Sequence, residues 1–358
     1  MNIVPKVYII ILNYRTWEDT IECLESLLKL DYKNFQIVVV DNASKNNSLS
    51  FLKGWARGNF CLHLPNDNTL KKYSFPLSHK PLSYKHYFAG KVVENKSEDG
   101  SCRIIFLESP INEGYSAGNN LGIEYALSCK DANYFWILNN DTVVSPDSLT
   151  HLVKATERKK KSGKKIGAMG SKLIYYHNPT KIQNVGGYYL PVFAYAKKTG
   201  EGQIDTDEWN TENVKINYIS GASLLVSTQF VHEVGKLSEE YFIYMEEVDW
   251  MKRASRKGWD IGYCYEAKVF HKEGMSINEG IINTTSRTKS KMSDYYWIRN
   301  KILITVKHFP YYLPVVILST VLTLFKRVQR GQSERIPLLL RAICHGITGY
   351  KIKPEKLR

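Results

Sequence analysis

Two continuous apolar runs open the chain. Val7 to Leu12 is rich in β-branched residues and reads as a strand buried on both faces, and Phe35 to Val40 reads the same way. Between them, Thr16 to Leu30 has helical spacing: Ile21, Leu24, Leu27 and Leu28 share a face, and Glu18 and Asp19 supply acids for the first turn. A second helix is predicted around Ser48 to Trp55. The opening is therefore β-α-β-α, which implies a parallel sheet with right-handed crossovers. The rhythm breaks over 59–101, a stretch rich in Lys, Tyr, Ser, Pro and Asn that reads as an insertion with a hairpin near Tyr87 to Val93. It resumes with a strand over Arg103 to Leu107, a glycine-containing stretch from Asn112 to Asn120, and a helix to about Leu127. A further strand, Tyr134 to Leu138, ends in Asn139-Asn140-Asp141. Ser145-Pro146-Asp147 predicts a helix start, with Ser145 as cap and Pro146 in the first helical position. Strands are expected over Ile166 to Tyr176, Tyr218 to Ser227 and Ala267 to Phe270, and a helix over Glu246 to Lys257.

In open α/β sheets ligands bind beyond the carboxyl ends of the strands. Polar groups recur there: Asn13-Tyr14, Asp41-Asn42 and Asn139-Asn140-Asp141. One such Asp is ordinarily a turn former, but three polar strand ends opening on one edge point to a site. The Asn112 to Asn120 stretch holds Gly-x-x-x-Gly, not the dinucleotide Gly-x-Gly-x-x-Gly, and argues against a nicotinamide enzyme.

Composition narrows the class. With 43% apolar and 23% charged residues the chain is globular, and its six cysteines form no CxxC pair, which argues against a disulfide scaffold or zinc cluster. The first apolar run lacks a cleavage-site pattern and reads as a strand, so the expected compartment is the reducing cytosol. The net charge of +14 is uneven. Residues 285–358 carry 15 Lys/Arg against 3 acids, whereas 1–284 carry 34 against 32. This basic tail also holds the longest uncharged apolar run, the 17 residues from Phe309 to Phe325. A helix starting at Pro314 covers about 18 Å against a bilayer core of about 30 Å, so attachment at a membrane surface fits better than a span or a buried core helix. The charge lies in that interrupted tail and no nucleic-acid motif accompanies it, which excludes a nucleic-acid partner. The local run Arg158 to Lys165 reads as a solvated helix end.

The densest acid cluster is Glu246, Glu247 and Asp249, after the apolar run Tyr241 to Met245. Acids near a helix start are favourable on dipole grounds alone, and a carboxylate beside an apolar surface is also a candidate general base. The residues alone do not choose among the three. His271 has no partner that the sequence identifies.

Taken in order, VYIIILNY (7–14), IVVVDNAS (37–44), NEGYSAGNN (112–120), WILNNDT (136–142), YFIYMEEVDW (241–250) and FHKEGMS (270–276) resemble the family 2 glycosyltransferases, especially their bacterial rhamnosyltransferase-like branch. YYWIRN (295–300) also looks like that branch. The resemblance implies a GT-A fold, an α/β architecture with a mostly parallel central sheet and helices on both faces, over 1–284, followed by a basic helical region, 285–358, that associates with a membrane. It implies nucleotide-sugar binding by Asn13, Tyr14, Asp41, Gly114, Asn119 and Asn140. It implies a divalent ion, Mg²⁺ or Mn²⁺, on Asp141 and His271, with Asn139 replacing the first acid of the D-x-D motif. Glu247 matches the catalytic base, with Glu246 and Asp249 as alternates. The activity implied is inverting transfer of a sugar, dTDP-rhamnose being the first candidate donor, to a glycan or lipid-linked saccharide at the cytoplasmic face of the cell membrane. The alternatives are a UDP-hexose or UDP-N-acetylhexosamine donor, or a non-catalytic nucleotide-sugar-binding subunit.

Overall fold

The computed structural model describes residues 4–63, 68–97, 102–273 and 290–352. Its strands are β1 (Val7–Asn13), β2 (Phe35–Asp41), β3 (Tyr84–Phe88), β4 (Lys91–Lys96), β5 (Ile104–Glu108), β6 (Tyr134–Asn139), β7 (Thr142–Val144), β8 (Ile166–Tyr175), β9 (Asn178–Asn184), β10 (Gly187–Leu190), β11 (Tyr195–Lys198), β12 (Ser223–Ser227) and β13 (Asp260–His271). Its helices are α1 (Trp17–Leu27), α2 (Ser48–Arg57), α3 (Lys71–Ser74), α4 (Tyr115–Ser128), α5 (Ser148–Lys161), α6 (Thr228–Val234), α7 (Glu246–Arg256), α8 (Lys291–His308), α9 (Leu313–Gln329) and α10 (Ile336–Thr348). The main sheet has eleven strands, in the order β4-β3-β5-β2-β1-β6-β12-β8-β13-β7, with β9 beside β8. The run β3-β5-β2-β1-β6 is parallel throughout. β12 pairs antiparallel with both β6 and β8.

The continuous apolar character of β1 has a direct cause. Val7, Ile9 and Ile11 pack into one core with α1, α2 and α5, while Tyr8 and Ile10 point into a second core with α4, α6, α7 and α8. A strand covered on both faces has no position left for a polar side chain until its end.

Several boundaries differ from the sequence expectation. Helix α5 starts at Ser148, not after Ser145. Thr142–Val144 is drawn into β7 by pairing with β13, and the Ser148 hydroxyl is spent on the Lys268 carbonyl at 2.8 Å. The short strand expected at Ala267 to Phe270 is the end of the twelve-residue β13. An irregularity between Cys264 and Lys268 interrupts its alternation and hid the rest. Tyr218 to Ala222 leads into β12 without joining it. The insertion is partly sheet: β3 and β4 form the expected hairpin, turning at Ala89-Gly90 with φ of 48° and 77°, and β3 extends the parallel edge. The basic run at the end of α5 is solvated as expected, with Arg158 and Lys159 paired to Glu212.

The C-terminal helices divide differently from the sequence expectation. Ile302, Leu303 and Ile304 of α8 are buried in the same core as β1 and α4. The expected boundary between 284 and 285 lies outside the described residues. α9 begins at Leu313 and continues to Gln329, well past the run used to estimate it. It is not a core helix: of its 17 residues only Val316, Thr320 and Leu324 are buried.

Candidate active site

Register brings the polar strand ends together. Asn13 lies beside Asp41, Asp41 beside Glu108, and Leu12 beside Asn139. Asn13 donates to Asp41 Oδ1 at 2.6 Å and accepts from the Thr20 hydroxyl at 2.8 Å. Asn140 donates to the Thr20 and Thr16 hydroxyls at 2.9 and 2.7 Å. The Ser44 amide donates to Asp41 Oδ2 at 3.1 Å. Asn13 and Asn140 are thus buried and committed inside the protein, where they tie the ends of β1, β2 and β6 to the start of α1. Burial pushes the Asp41 carboxyl up against these hydrogen bonds, and Glu108 adds to the rise. Tyr14 is half-buried, with the Arg15 guanidinium 5.1 Å from its ring centre.

Gly114 has φ +97°, and a Cβ there would sit 2.2 Å from the Phe242 carbonyl oxygen. That carbonyl accepts from the Tyr115 amide at 2.7 Å. Glycine is therefore needed here so that the segment before α7 can approach α4. Asn119 is buried; its Nδ2 donates to the Tyr115 carbonyl at 2.9 Å, and its Oδ1 has no hydrogen-bond partner among the described residues.

Asp141 and His271 are brought together by the pairing of β7 with β13. Thr142 lies opposite His271, and the Lys272 amide donates to the Asp141 carbonyl at 3.0 Å. His271 Nε2 is 3.1 Å from Asp141 Oδ1, and Nδ1 is 2.7 Å from Gln183 Oε1. A proton on Nδ1, given to Gln183, turns the Nε2 lone pair toward a carboxylate. Two acceptors so placed call for a cation between them, either a second proton or a metal ion. Burial pushes the Asp141 carboxyl up, but His271, its own backbone amide and Lys272 outweigh that and hold it below the usual range. The pair therefore fits a hard divalent ion with one imidazole. Among the described residues no group of three or more His, Cys, Asp or Glu gathers, so the remaining ligands would come from a bound donor. Gln183 carried no motif by which the sequence could reveal it, and Lys272, although it stands in FHKEGMS, had no role assigned there; its ammonium bridges Asp19 and Glu22 at 2.5 and 2.7 Å beside this pair.

The three acids around α7 separate clearly. Asp249 is fully buried, accepts from Arg253 at 2.7 Å and lies 2.7 Å from His308 Nε2. Burial pushes its carboxyl up, but His308 and Arg253 prevail and hold it low. It is a packing anchor between α7 and α8 and not a member of the site, which corrects its standing as an alternate base. Glu246 is buried, and burial together with Glu247 raises its carboxyl well above the usual range. Glu247 is only half-buried, and burial raises it to about 7. Among the described residues neither Oε2 has a hydrogen-bond partner. Tyr115, whose hydroxyl donates to the Gly221 carbonyl at 2.7 Å, is raised by burial and then by the charges of Glu246, Glu247 and Asp141. The Asp141 carboxylate and the acid pair thus act on one phenol at the start of α4.

The pair has a consequence for stability. A carboxyl whose folded pKa exceeds its unfolded value holds its proton more tightly when folded. That contribution is complete below the ordinary value of 4.5 and is lost as pH rises through about 7. Glu246→Gln should therefore melt like the wild type at about pH 5 and be more stable by on the order of 1–3 kcal/mol at about pH 8. Coincident melting curves at both pH values would show that the pair is not strained.

Comparison with known proteins now decides the class. The profile described as Glycosyltransferase like family 2 matches residues 105–290, more than half of the chain, and that described as Glycosyl transferase family 2 matches 8–71. The chain belongs to glycosyltransferase family 2. It is 24% identical over 266 residues to the low-salt glycan biosynthesis hexosyltransferase Agl10 of Haloferax volcanii, covering 71% of this chain and 79% of that protein. It is 24% identical over 243 residues to the dTDP-rhamnosyl transferase RfbF of Shigella flexneri, covering 66% and 76%. In structure it resembles the mannosyltransferase PcManGT from Pyrobaculum calidifontis in complex with GDP-Man and Mn²⁺, with a TM-score of 0.51 at 12% identity over 98% of this chain and 89% of that one. The glycosyltransferase thus has the GT-A fold.

Proposed function

We propose that the enzyme transfers L-rhamnose from dTDP-rhamnose, with inversion, to a hydroxyl of a glycan or lipid-linked saccharide during cell-surface polysaccharide synthesis. A nucleotide-sugar donor is what the family uses, and the likeness to a dTDP-rhamnosyl transferase favours this one. The observation that carries the chemistry is Glu247: of the three acids around α7 it alone is not buried, and its raised carboxyl suits a base working near neutral pH. Glu247 takes the proton of the acceptor hydroxyl. The acceptor oxygen bonds to the anomeric carbon from the face opposite the phosphate, and the bond to the nucleoside diphosphate breaks. Asp141 and His271 would hold Mg²⁺ or Mn²⁺, which when bound stabilises charge on the departing diphosphate. Gln183 holds the His271 ring, and Asp41, fixed by Asn13 and Ser44, faces the nucleoside end.

The test is a donor panel of dTDP-rhamnose, UDP-galactose and UDP-N-acetylglucosamine, scored for metal-dependent nucleoside diphosphate release. Turnover of dTDP-rhamnose above the other two is expected. Preference for a UDP-sugar would replace the donor, and binding of a donor without turnover would support the non-catalytic reading.

The membrane part of the proposal rests on α9. Tyr311, Val315, Leu318, Leu322 and Phe325 recur every three or four residues and are exposed, Tyr311 by 94% and Leu318 by 62%. They form one apolar stripe, and the stretch Pro310–Gln329 is long and apolar enough to cross a bilayer by length and composition. Lys326, Arg330 and Arg341 lie exposed nearby. The occupant proposed is an anionic bilayer at the cytoplasmic face, with the helix lying along it. A chain ending near Asn283 cannot test this. It would remove α8, whose four buried aliphatic side chains are worth roughly 1.5–3 kcal/mol each against a total stability of about 5–15 kcal/mol. The doubly substituted Leu322→Glu, Phe325→Glu protein should instead fold and turn over donor normally yet fail to float with anionic liposomes. High salt should weaken flotation of the wild type without abolishing it. A wild type that stays soluble and dimerises through this stripe would overturn the assignment.

A further inference from the structure

Helix α8 does more than close the core. The segment before α7 runs Tyr241 to Met245 and ends with two consecutive non-glycine residues in the left-handed region, Tyr244 at φ 73° and Met245 at φ 72°. Such backbone is costly and persists only where its surroundings over-determine it. The next two residues are Glu246 and Glu247. The backbone of this turn is captured by one side chain: Asn300, fully buried on α8, donates from Nδ2 to the Ile243 carbonyl at 2.8 Å and to the Tyr244 carbonyl at 3.0 Å. Its Oδ1 accepts from Arg299 Nη1 at 2.7 Å, so the amide has one orientation. Arg299 is buried in turn. It donates to the Glu240 carbonyl at 2.6 Å, on the near side of the same segment, and to the Gly349 and Tyr350 carbonyls at 3.1 and 3.2 Å, just past α10. Two further contacts pin the segment from α8: the Phe242 ring stacks on Tyr296 at 4.7 Å, and the Tyr244 hydroxyl lies 3.0 Å from Ser293 Oγ.

We propose that Asn300, oriented by Arg299, is a positioning residue that sets the placement of the Glu247 carboxylate through the Tyr244–Met245 turn, so that the active site is completed from the C-terminal helices. The inference rests on Glu247 being the base. It explains why a buried arginine and a fully satisfied asparagine sit side by side on α8, among the aromatic and aliphatic residues that pack against the core. An ordinary packing contact would not require both amide hydrogens of one asparagine on two successive carbonyls of a left-handed turn. The residues proposed to hold the diphosphate and nucleoside, Asp41, Asp141 and His271, lie at the ends of β2 and β13 and before β7, and among the described residues none of them is hydrogen-bonded to Asn300.

That separation makes the idea testable with the full chain. Asn300→Ala removes both donors. Asn300→Asp keeps the shape and the Arg299 contact but has no hydrogen to give the carbonyls. Turnover of dTDP-rhamnose with Mn²⁺, read as dTDP released, should fall on the order of 10²-fold in kcat for both variants, while KM for the donor stays within about twofold of the wild type. A purely structural lesion would instead lower the fraction of folded enzyme and leave kcat per folded molecule unchanged, so folded protein is counted by calorimetry in each case. Tyr244→Phe, which loses only the Ser293 contact at the rim, should lower kcat less, and it carries the test if the Asn300 variants do not fold. Wild-type kcat in well-folded Asn300→Ala and Asn300→Asp, or in Tyr244→Phe where those do not fold, would overturn the proposal. Glu247→Gln in the same assay separates the two readings: its full activity would remove the base assignment, whereas an inactive Glu247→Gln beside normal Asn300 variants would remove only the positioning role.

Discussion

Glu247→Gln is expected to lower transfer by about 10²–10⁴-fold while leaving donor binding intact. The amide keeps the size and polarity of the side chain but cannot accept the acceptor's proton. Its neighbour argues for the same choice. Glu246 is buried, and the mutual repulsion of two adjacent carboxylates favours keeping one proton on it. A protonated acid cannot serve as a base, so Glu246→Gln should cost far less activity than Glu247→Gln. Asp249→Asn belongs to a different category. It breaks the links to Arg253 and His308 and should act on stability, visible as a lower melting temperature. Parallel donor-binding and transfer measurements on the three variants decide the matter. A larger loss of transfer in Glu246→Gln, with binding retained, would move the base by one residue.

Asp141→Ala should remove most activity and also weaken metal-dependent donor binding, a double signature that the Glu247 variant lacks. Losing a centre that stabilises leaving-group charge raises the barrier by several kcal/mol, on the order of hundreds-fold or more in rate. The structure adds a second consequence. With Asp141 gone, His271 keeps Gln183 on Nδ1 but loses, among the described residues, its carboxylate neighbour on Nε2. A single imidazole should hold the ion poorly, so raising Mn²⁺ should restore only part of the activity. Turnover by Asp141→Ala close to the wild type in the absence of added metal would remove the metal from the reading altogether.

Much of this enzyme could be read along the chain. The alternation of β-branched runs with helical spacing identified the β-α-β-α opening, because strand and helix periods are properties of adjacent residues. The polar ends of β1, β2 and β6 could be placed on one edge because parallel strands with right-handed crossovers bring like ends together. The order of motifs reached the family. Even the hairpin inside the insertion was marked by its local pattern.

Other features lie beyond any local window. Helix α5 starts two residues later than its Ser-Pro-Asp signal predicts because β7 is claimed first by β13, a partner far along the chain. His271 acquires Asp141 only through that same pairing, and Gln183 reaches it only because β9 folds back on β8. Asp249 could not be told from Glu246 and Glu247 by spacing, since what separates them is burial and the arrival of His308 from α8. Asn13 and Asn140 stood out as polar strand ends, and only packing shows that they also tie those ends together. Arg299 and Asn300 stood in a legible motif, but their role depends on which carbonyls they meet. The sequence by itself determined the period, the residue types and their order. Tertiary structure decided which of the three acidic residues is not fully buried, because burial and hydrogen-bond partners are set by register and packing between segments distant in the chain.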